Sequence, residues 1–294
     1  MTRTSLLSLL GSLALGGTAL AQAGPGAHFT IVQASDGKSV GTAYCSFAPV
    51  AGGYEVTSSG ELHLPKFNYS FNNTNHVDSD LNIIRDQLSG TVNGSQVNFT
   101  LASDASGRQF QVNISASGKD TSNTVQRHPH LVLLPDLDAA AYVEMAHFAL
   151  EEPPTAWAVI PKQNGILVPT EYDPQADAQG TLNGQAESVH HTSVIVSGQN
   201  AITVEIYYND QGVLFEADLP EQNFYVIHDG FQLQNRPKYT PPRGPAAPPN
   251  QQNPDQQNPD QQNPGPPPRD QQPPQYAVPQ SGAAAQPQSL TGSN

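Results

Sequence analysis

One short stretch of the chain has the spacing of a catalytic serine. Gly37-Lys38-Ser39-Val40-Gly41 matches the G-x-S-x-G pattern of serine hydrolases, whose nucleophile needs a sharp turn between a strand and a helix. Ser35 and Lys38 also have the S-x-x-K spacing, which requires both side chains on one helix. Residues 42–47 alternate like a strand, however, and Gly37 disfavours a helix. We therefore predict a β-turn that opens a hairpin, without a nucleophile.

Histidines are the other residues that could do chemistry. His128 and His130 could share one face of an extended segment, and His147, His190 or His191 could complete a metal site. No feature of the sequence shows that these side chains converge. In the segment around His190 and His191, alternation turns one ring inward, and we expect a hydrogen-bonded core histidine there.

Five asparagines begin N-x-S/T sequons, which accept glycans only in a eukaryotic secretory route: Asn68, Asn72, Asn93, Asn98 and Asn113. We interpret them as incidental, because asparagine, serine and threonine are common on polar strand faces. The sequence therefore predicts no catalytic, cofactor-binding or metal-binding set of residues, and no cofactor. An enzyme is not the favoured hypothesis, but a hydrolase with dispersed serine, histidine and aspartate residues stays open.

Residues 1–23 have the layout of a secretory signal peptide. Arg3 precedes an apolar stretch from Leu6 to Leu20, and small residues stand at positions 19, 21 and 23. We expect a mature amino terminus at Gln22 or Gly24, and a periplasmic or secreted protein. The stretch is shorter than the roughly 20 residues of a spanning helix, so we expect no transmembrane span in the mature chain.

Charge and cysteine content narrow the class of protein further. The formal net charge is -14, and residues 24–235 hold 7 basic against 23 acidic residues. Such a chain repels phosphate backbones, so nucleic acid is not an expected partner. The single cysteine, Cys45, permits no internal disulfide, and it shares a strand face with Ala43 and Phe47. We predict a buried, inert thiol.

The elements that must position these residues are mostly strands. Apolar and polar residues alternate with period two from His28 to Ser117 and again after Trp157, with turns such as Asn93-Gly94 between the runs. Between these regions, Asp138–Leu150 has helix formers and a capping aspartate, and Pro153-Pro154 ends it. One helical stripe is apolar: Tyr142, Met145, Ala146 and Ala149.

We predict a mainly β (α+β) fold, a large curved antiparallel sheet or half-barrel with one covering helix near residues 138–150. This domain spans residues 24–235. Residues 236–294 are rich in proline, glutamine and asparagine, and Gln-Gln-Asn-Pro occurs three times. With few large apolar residues to offset its ordering entropy, this tail is expected to be disordered.

Three short motifs carry a resemblance to a known group of proteins. Residues 37–43, Gly53-Tyr54-Glu55-Val56 and Asn209-Asp210-Gln211-Gly212-Val213-Leu214 resemble exported bacterial β-rich domains of unknown function. Some of those are similar to the periplasmic lipoprotein carriers. The resemblance covers Ala27 to Leu233 and implies a half-barrel that holds acyl chains in an apolar trough. It assigns no binding residue to this chain.

The leading hypothesis is an exported, noncatalytic module that binds an apolar small molecule or lipid, or an envelope protein. A surface-attachment or structural protein acting through its tail is an alternative. A trough would be lined by Phe99, Val112, Ile114 and Ile206 beneath the helix. We expect the helix to fill it, because its apolar stripe can cover the sheet.

Overall fold

The computed structural model describes residues 26–151, 155–198 and 201–238. All of them belong to one compact unit. The predicted signal peptide, and the predicted tail from residue 239 onward, lie outside the described residues.

The described chain consists mainly of strands. The first eight are β1 (Ala27–Gln33), β2 (Ser39–Val50), β3 (Gly53–Leu64), β4 (Phe67–Asp78), β5 (Ile83–Val92), β6 (Ser95–Ser103), β7 (Gln109–Ala116) and β8 (Lys119–Gln126). Then come β9 (Leu131–Leu133), the helix α1 (Ala139–Glu151), β10 (Ala156–Ile160), a 3-10 turn (Pro161–Gln163), β11 (Ile166–Pro174), β12 (Ala178–Leu182) and β13 (Gln185–Val196). The last four are β14 (Ile202–Tyr208), β15 (Leu214–Leu219), β16 (Phe224–His228) and β17 (Phe231–Leu233).

The first eight strands form a meander in which each strand pairs antiparallel with the next. The predicted turn at Asn93-Gly94 joins β5 to β6, and both residues have positive φ, 50° and 81°. Such turns match the right-handed twist of the strands they connect. A short loop likewise joins β6 to β7.

A long-range pairing joins the two parts of the chain. β1 pairs antiparallel with β16, and the sheet continues through β15, β14, β13 and β11 to β10. β9 pairs with β10 in parallel, while β12 bridges β13 and β17. The result is a large, curved, mostly antiparallel sheet with one helix, which confirms the predicted fold class.

The helix α1 is more deeply buried than its apolar stripe predicts. Asp138 caps its start, since Oδ1 accepts a hydrogen bond of 3.0 Å from the Ala140 amide. Nine of its 13 residues are buried, because strands on several sides, β2, β3, β14 and β15, contact it. The helix therefore packs against both the early and the late strands of the curved sheet. Within the described ranges, no helix has the length and apolar character to cross a membrane.

The predicted trough beneath the helix is filled. Phe99, Val112 and Ile206 have no exposed surface, and Ile114 packs against the same core as a partly buried residue. Tyr142, Met145 and Ala146 of the helix stripe are equally buried. These residues form a closed hydrophobic core, as the filled-core hypothesis expected.

Replacing Val112 with alanine is expected to lower the free energy of unfolding by about 2 kcal/mol, because buried methyl groups are lost and a cavity remains. The matched control is Val50→Ala, since Val50 is 45% exposed and should change stability little. Urea denaturation measures both. A loss for Val112→Ala no larger than that of the control would contradict a filled core.

Candidate functional site

An apolar cavity of about 440 Å³ lies between the start of β1, the second half of β2 and the turn that joins β14 to β15. The main hydrophobic core contributes one part of its lining, comprising Ala27, Phe29, Phe47, Val143 and Leu214. A second, smaller cluster contributes another, comprising Leu182, Val213 and Phe215. The cavity thus lies where two hydrophobic clusters meet. Its volume is within the range of small-molecule sites.

Polar groups complete the lining of this apolar cavity. They are Glu187, Asn209, Gln211 and His228 together with Ser46, and no lysine or arginine is among the described lining residues. Asn209 Oδ1 accepts hydrogen bonds of 3.0 Å from the amides of Gln211 and Val213. The turn is therefore fixed in place, so this wall of the cavity is preformed.

A carboxyl cluster, formed by Asp86, Asp138 and Glu144, lies inside the sheet beside the helix. Asn73 Nδ2 donates to Asp86 Oδ2 at 3.1 Å and to Asp138 Oδ2 at 3.3 Å. Asn75 Nδ2 donates to Glu144 Oε1 at 3.1 Å. Since both asparagines belong to β4, these contacts fasten the start of the helix to the sheet.

Burial raises the pKa of all three carboxyl groups in this cluster. For Glu144 the charges of Asp138 and Asp86 raise the pKa further, and for Asp86 the charge of Asp138 does so. No lysine, arginine or histidine of the described chain forms an ion pair or hydrogen bond with them. The protonated, neutral form is therefore favoured. All three side chains are buried, so they suit structural hydrogen bonding better than catalysis.

Cys45 has the buried position that the sequence predicts. It is 2% exposed, and its pKa is raised by burial and by the nearby Asp138 and Glu144 charges. A raised pKa keeps the sulfur as a thiol, and the thiolate is the reactive form. Although Cys45 borders the apolar cavity, it contributes packing surface there.

The serine pattern forms a turn, as expected. Gly37 has φ of 71° in the connection between β1 and β2, and Ser39 is the exposed first residue of β2. Lys38 Nζ lies 2.7 Å from Asp36 Oδ2. Because a strand follows the turn, the geometry of a nucleophile between strand and helix is absent from this described segment.

Of the histidines considered for a metal, the structure brings two to one carboxylate. His130 Nε2 lies 3.7 Å from Glu151 Oε2, and His147 Nε2 lies 3.5 Å from Glu151 Oε1. His128 instead stacks on Trp157, with ring centroids 4.1 Å apart. Among residues 26–151, 155–198 and 201–238, no group of three or more His, Cys, Asp and Glu side chains is arranged to hold a metal ion.

The expectation of a core histidine in β13 is wrong. The side chain of His190 is 36% exposed, and its two nitrogens lie 3.0 Å from Asp177 Oδ1 and 2.6 Å from Asp210 Oδ1. His191 is half-buried, stacks on Tyr207 and lies 2.9 Å from Glu205. Acidic side chains that are exposed or half-buried, rather than core groups, are the partners of both rings.

Sequence patterns did not predict the cavity or the carboxyl cluster. The cavity combines residues from strands distant in sequence, and no local pattern marks it. The cluster left a weak signal: Asn73, Asn75 and Asp86 occupy inward positions of their strands, where alternation predicts apolar residues. The five sequon asparagines are all exposed.

Within the described residues, the fold and the cavity together define a mainly β domain with one helix and an apolar pocket. No family model matches the chain, and no curated protein matches it. Among solved structures, the chain is similar to the β-barrel-like protein of domain of unknown function DUF1849 from Brucella abortus. It is 9% identical, with a TM-score of 0.46, and the match covers 71% of this chain and 96% of that one.

Proposed function

We propose that this protein is an exported, noncatalytic module that binds a small apolar ligand in the apolar cavity beside Val143. The observation that carries the proposal is the cavity itself, whose lining is mostly apolar and includes a few polar groups, the composition typical of small-molecule sites. The layout of residues 1–23 supports export.

The charge of the site favours a ligand with a neutral head group. Glu187 lies in the lining, none of the described lining residues is a lysine or arginine, and the chain carries a formal net charge of -14. A carboxylate ligand would find no cation there and would be repelled. A long-chain alcohol has the same apolar body and lacks this charge, so it is the better ligand.

The test is displacement of a neutral apolar dye, Nile red, by dodecanol and by dodecanoate. We expect saturable dye binding, displacement by dodecanol, and weaker displacement by dodecanoate. Each buried methylene contributes about 0.8 kcal/mol, so shorter alcohols should displace the dye less well.

Val213→Trp is the informative variant, because the larger ring would occupy the cavity that Val213 lines. It should abolish dye binding while the protein stays folded. The matched control is Val50→Trp, which adds the same ring at an exposed position outside the cavity. Equal dye binding by the two variants, or no saturable binding by the native protein, would overturn the proposal.

A further inference from the structure

A cleft of about 590 Å³ opens on the outer face of β1–β4 and shares one lining residue, Phe29, with the apolar cavity. The rings of His28 and Tyr44 stand together there, with centroids 4.9 Å apart and planes at 49°. Small residues, Ser59, Gly60 and Ser70, also line this outer cleft. The outer cleft thus has aromatic side chains on one side and small side chains at its base.

Hydrogen-bonding groups of several kinds face the same space. The outer cleft is lined by the carboxylates of Glu61 and Asp229 and by the amide of Asn72. Thr30 Oγ1 donates to Asp229 Oδ1 at 3.0 Å, which holds that carboxylate in place. Carboxylates accept from hydroxyl groups, and an amide both donates and accepts. A ligand rich in hydroxyl groups matches this set.

The charge of the outer cleft decides which kind of hydroxyl-rich ligand can bind there. None of the described residues that line the outer cleft is a lysine or arginine, and two are acidic. A phosphorylated or uronic-acid ligand would therefore be repelled. A neutral sugar has hydroxyl groups for the carboxylates and an apolar C–H face that can pack on the Tyr44 ring.

Beyond the outer cleft, the sheet carries further side chains with hydroxyl and amide groups. Asn72 is in register with Ser89, Asn98 and Ser115 across β5, β6 and β7. The neighbouring row is likewise uncharged and consists of Ser46, Thr57, Thr74, Gln87, Thr100, Asn113 and Ser122. Adjacent strands lie about 4.8 Å apart, so these rows form a regular array of hydroxyl and amide groups. A chain of sugars can contact more of this surface than a single sugar.

From these observations we infer that the outer cleft binds a neutral oligosaccharide, with Tyr44 packing on a sugar face and Glu61, Asn72 and Asp229 bonding its hydroxyl groups. The inference is independent of the apolar ligand, since the two sites share no polar binding residue.

Isothermal titration of the full chain with neutral hexasaccharides of α-glucan, β-glucan, mannan and xylan tests the inference, with hexagalacturonate as the anionic comparison. We expect saturable binding of at least one neutral hexasaccharide and none of hexagalacturonate. Tyr44→Ala should weaken binding about tenfold, the loss of one aromatic contact. Asn72→Ala, at an exposed position, should also weaken it and guards against misfolding of the tyrosine variant.

Two controls keep the result specific to the outer cleft. Phe67→Ala removes an aromatic ring that is 37% exposed and does not line the cleft, and Val213→Trp blocks only the apolar cavity. Both should bind the sugar as the native protein does. Binding to none of the neutral hexasaccharides, equal binding of hexagalacturonate, or unchanged binding by both Tyr44→Ala and Asn72→Ala would overturn the inference.

Discussion

Replacing Arg236 with alanine is expected to lower the free energy of unfolding by about 3 kcal/mol, because one partner of a buried ion pair is lost. Arg236 Nε donates to Glu216 Oε1 at 2.7 Å, and its terminal nitrogen lies 2.6 Å from Glu216 Oε2. The side chain of Glu216 has no exposed surface, whereas that of Arg236 is 30% exposed. The variant would leave a buried carboxylate without its cation.

The surroundings of this ion pair increase the expected loss. Asp218 lies beside Glu216, and its pKa is raised by burial and by the Glu216 charge. The Arg236 guanidinium offsets part of this negative charge and also lies 5.0 Å from the centre of the Tyr225 ring. Removing it therefore deletes an aromatic contact as well as the ion pair.

Truncated chains distinguish the stability contributed by the Arg236 ion pair from that contributed by the rest of the predicted tail. A chain that ends at Asn235 should lose about as much stability as Arg236→Ala, whereas one that ends at Lys238 should lose little. Lys238→Ala is the matched control, since Lys238 is exposed. Glu216→Gln in the Arg236→Ala background should recover part of the loss. Urea denaturation measures the stability of each variant. Equal free energies of unfolding for Arg236→Ala and Lys238→Ala would contradict a stabilising Arg236–Glu216 ion pair.

The local elements of the fold could be predicted because each has a short-range cause. The positive φ at Asn93-Gly94 fixes the hairpin of β5 and β6, and the alternation in β6 and β7 marks the next hairpin, in each case from residues close together in sequence. Asp138 and the prolines after Glu151 likewise mark the limits of the helix. Such signals need no knowledge of the rest of the chain.

The long-range contacts could not be predicted from such signals. The pairing of β1 with β16 joins Phe29 to His228, and no local pattern specifies a partner so distant in sequence. Arg236 stands where prolines begin to accumulate, so composition placed it in the tail. Its role depends on Glu216, which is buried only once β15 is inside the sheet.

The carboxyl cluster makes stability depend on pH in a direction opposite to that of ordinary paired carboxylates. The folded-state pKa values of Asp86, Asp138 and Glu144 are raised, mainly by burial. Between about pH 4, where unfolded carboxyls lose their protons, and these raised values, the folded state binds more protons than the unfolded state. Stability contributed by the cluster is therefore complete at acidic pH and is lost as the pH rises.

Glu144→Gln isolates this effect, because an amide cannot ionise and has nearly the same shape as the protonated carboxyl group. We expect this variant to be more stable than the native protein at about pH 8 and to differ little from it at about pH 4. The difference between the two proteins should grow by up to about 1.4 kcal/mol per pH unit, the limit for one proton.

Other ionisable groups also change protonation across this pH range. They are the same in the native protein and in Glu144→Gln, so their contributions cancel when the two free energies of unfolding are compared. The raised pKa values of Asp218 and His190 act in the same direction as the cluster, whereas burial lowers the pKa of His147 and acts in the opposite direction. Glu171→Gln changes an exposed carboxylate and should show no such growth. Urea denaturation at each pH measures the difference in the free energy of unfolding between the native protein and the variant. If the native protein were more stable than Glu144→Gln at about pH 8, Glu144 would be ionised and paired, contrary to this prediction. Because Glu144 is buried beside Asp86 and Asp138, its deprotonation would place a repelled charge inside the core and so loosen the helix that supplies Val143 to the apolar cavity.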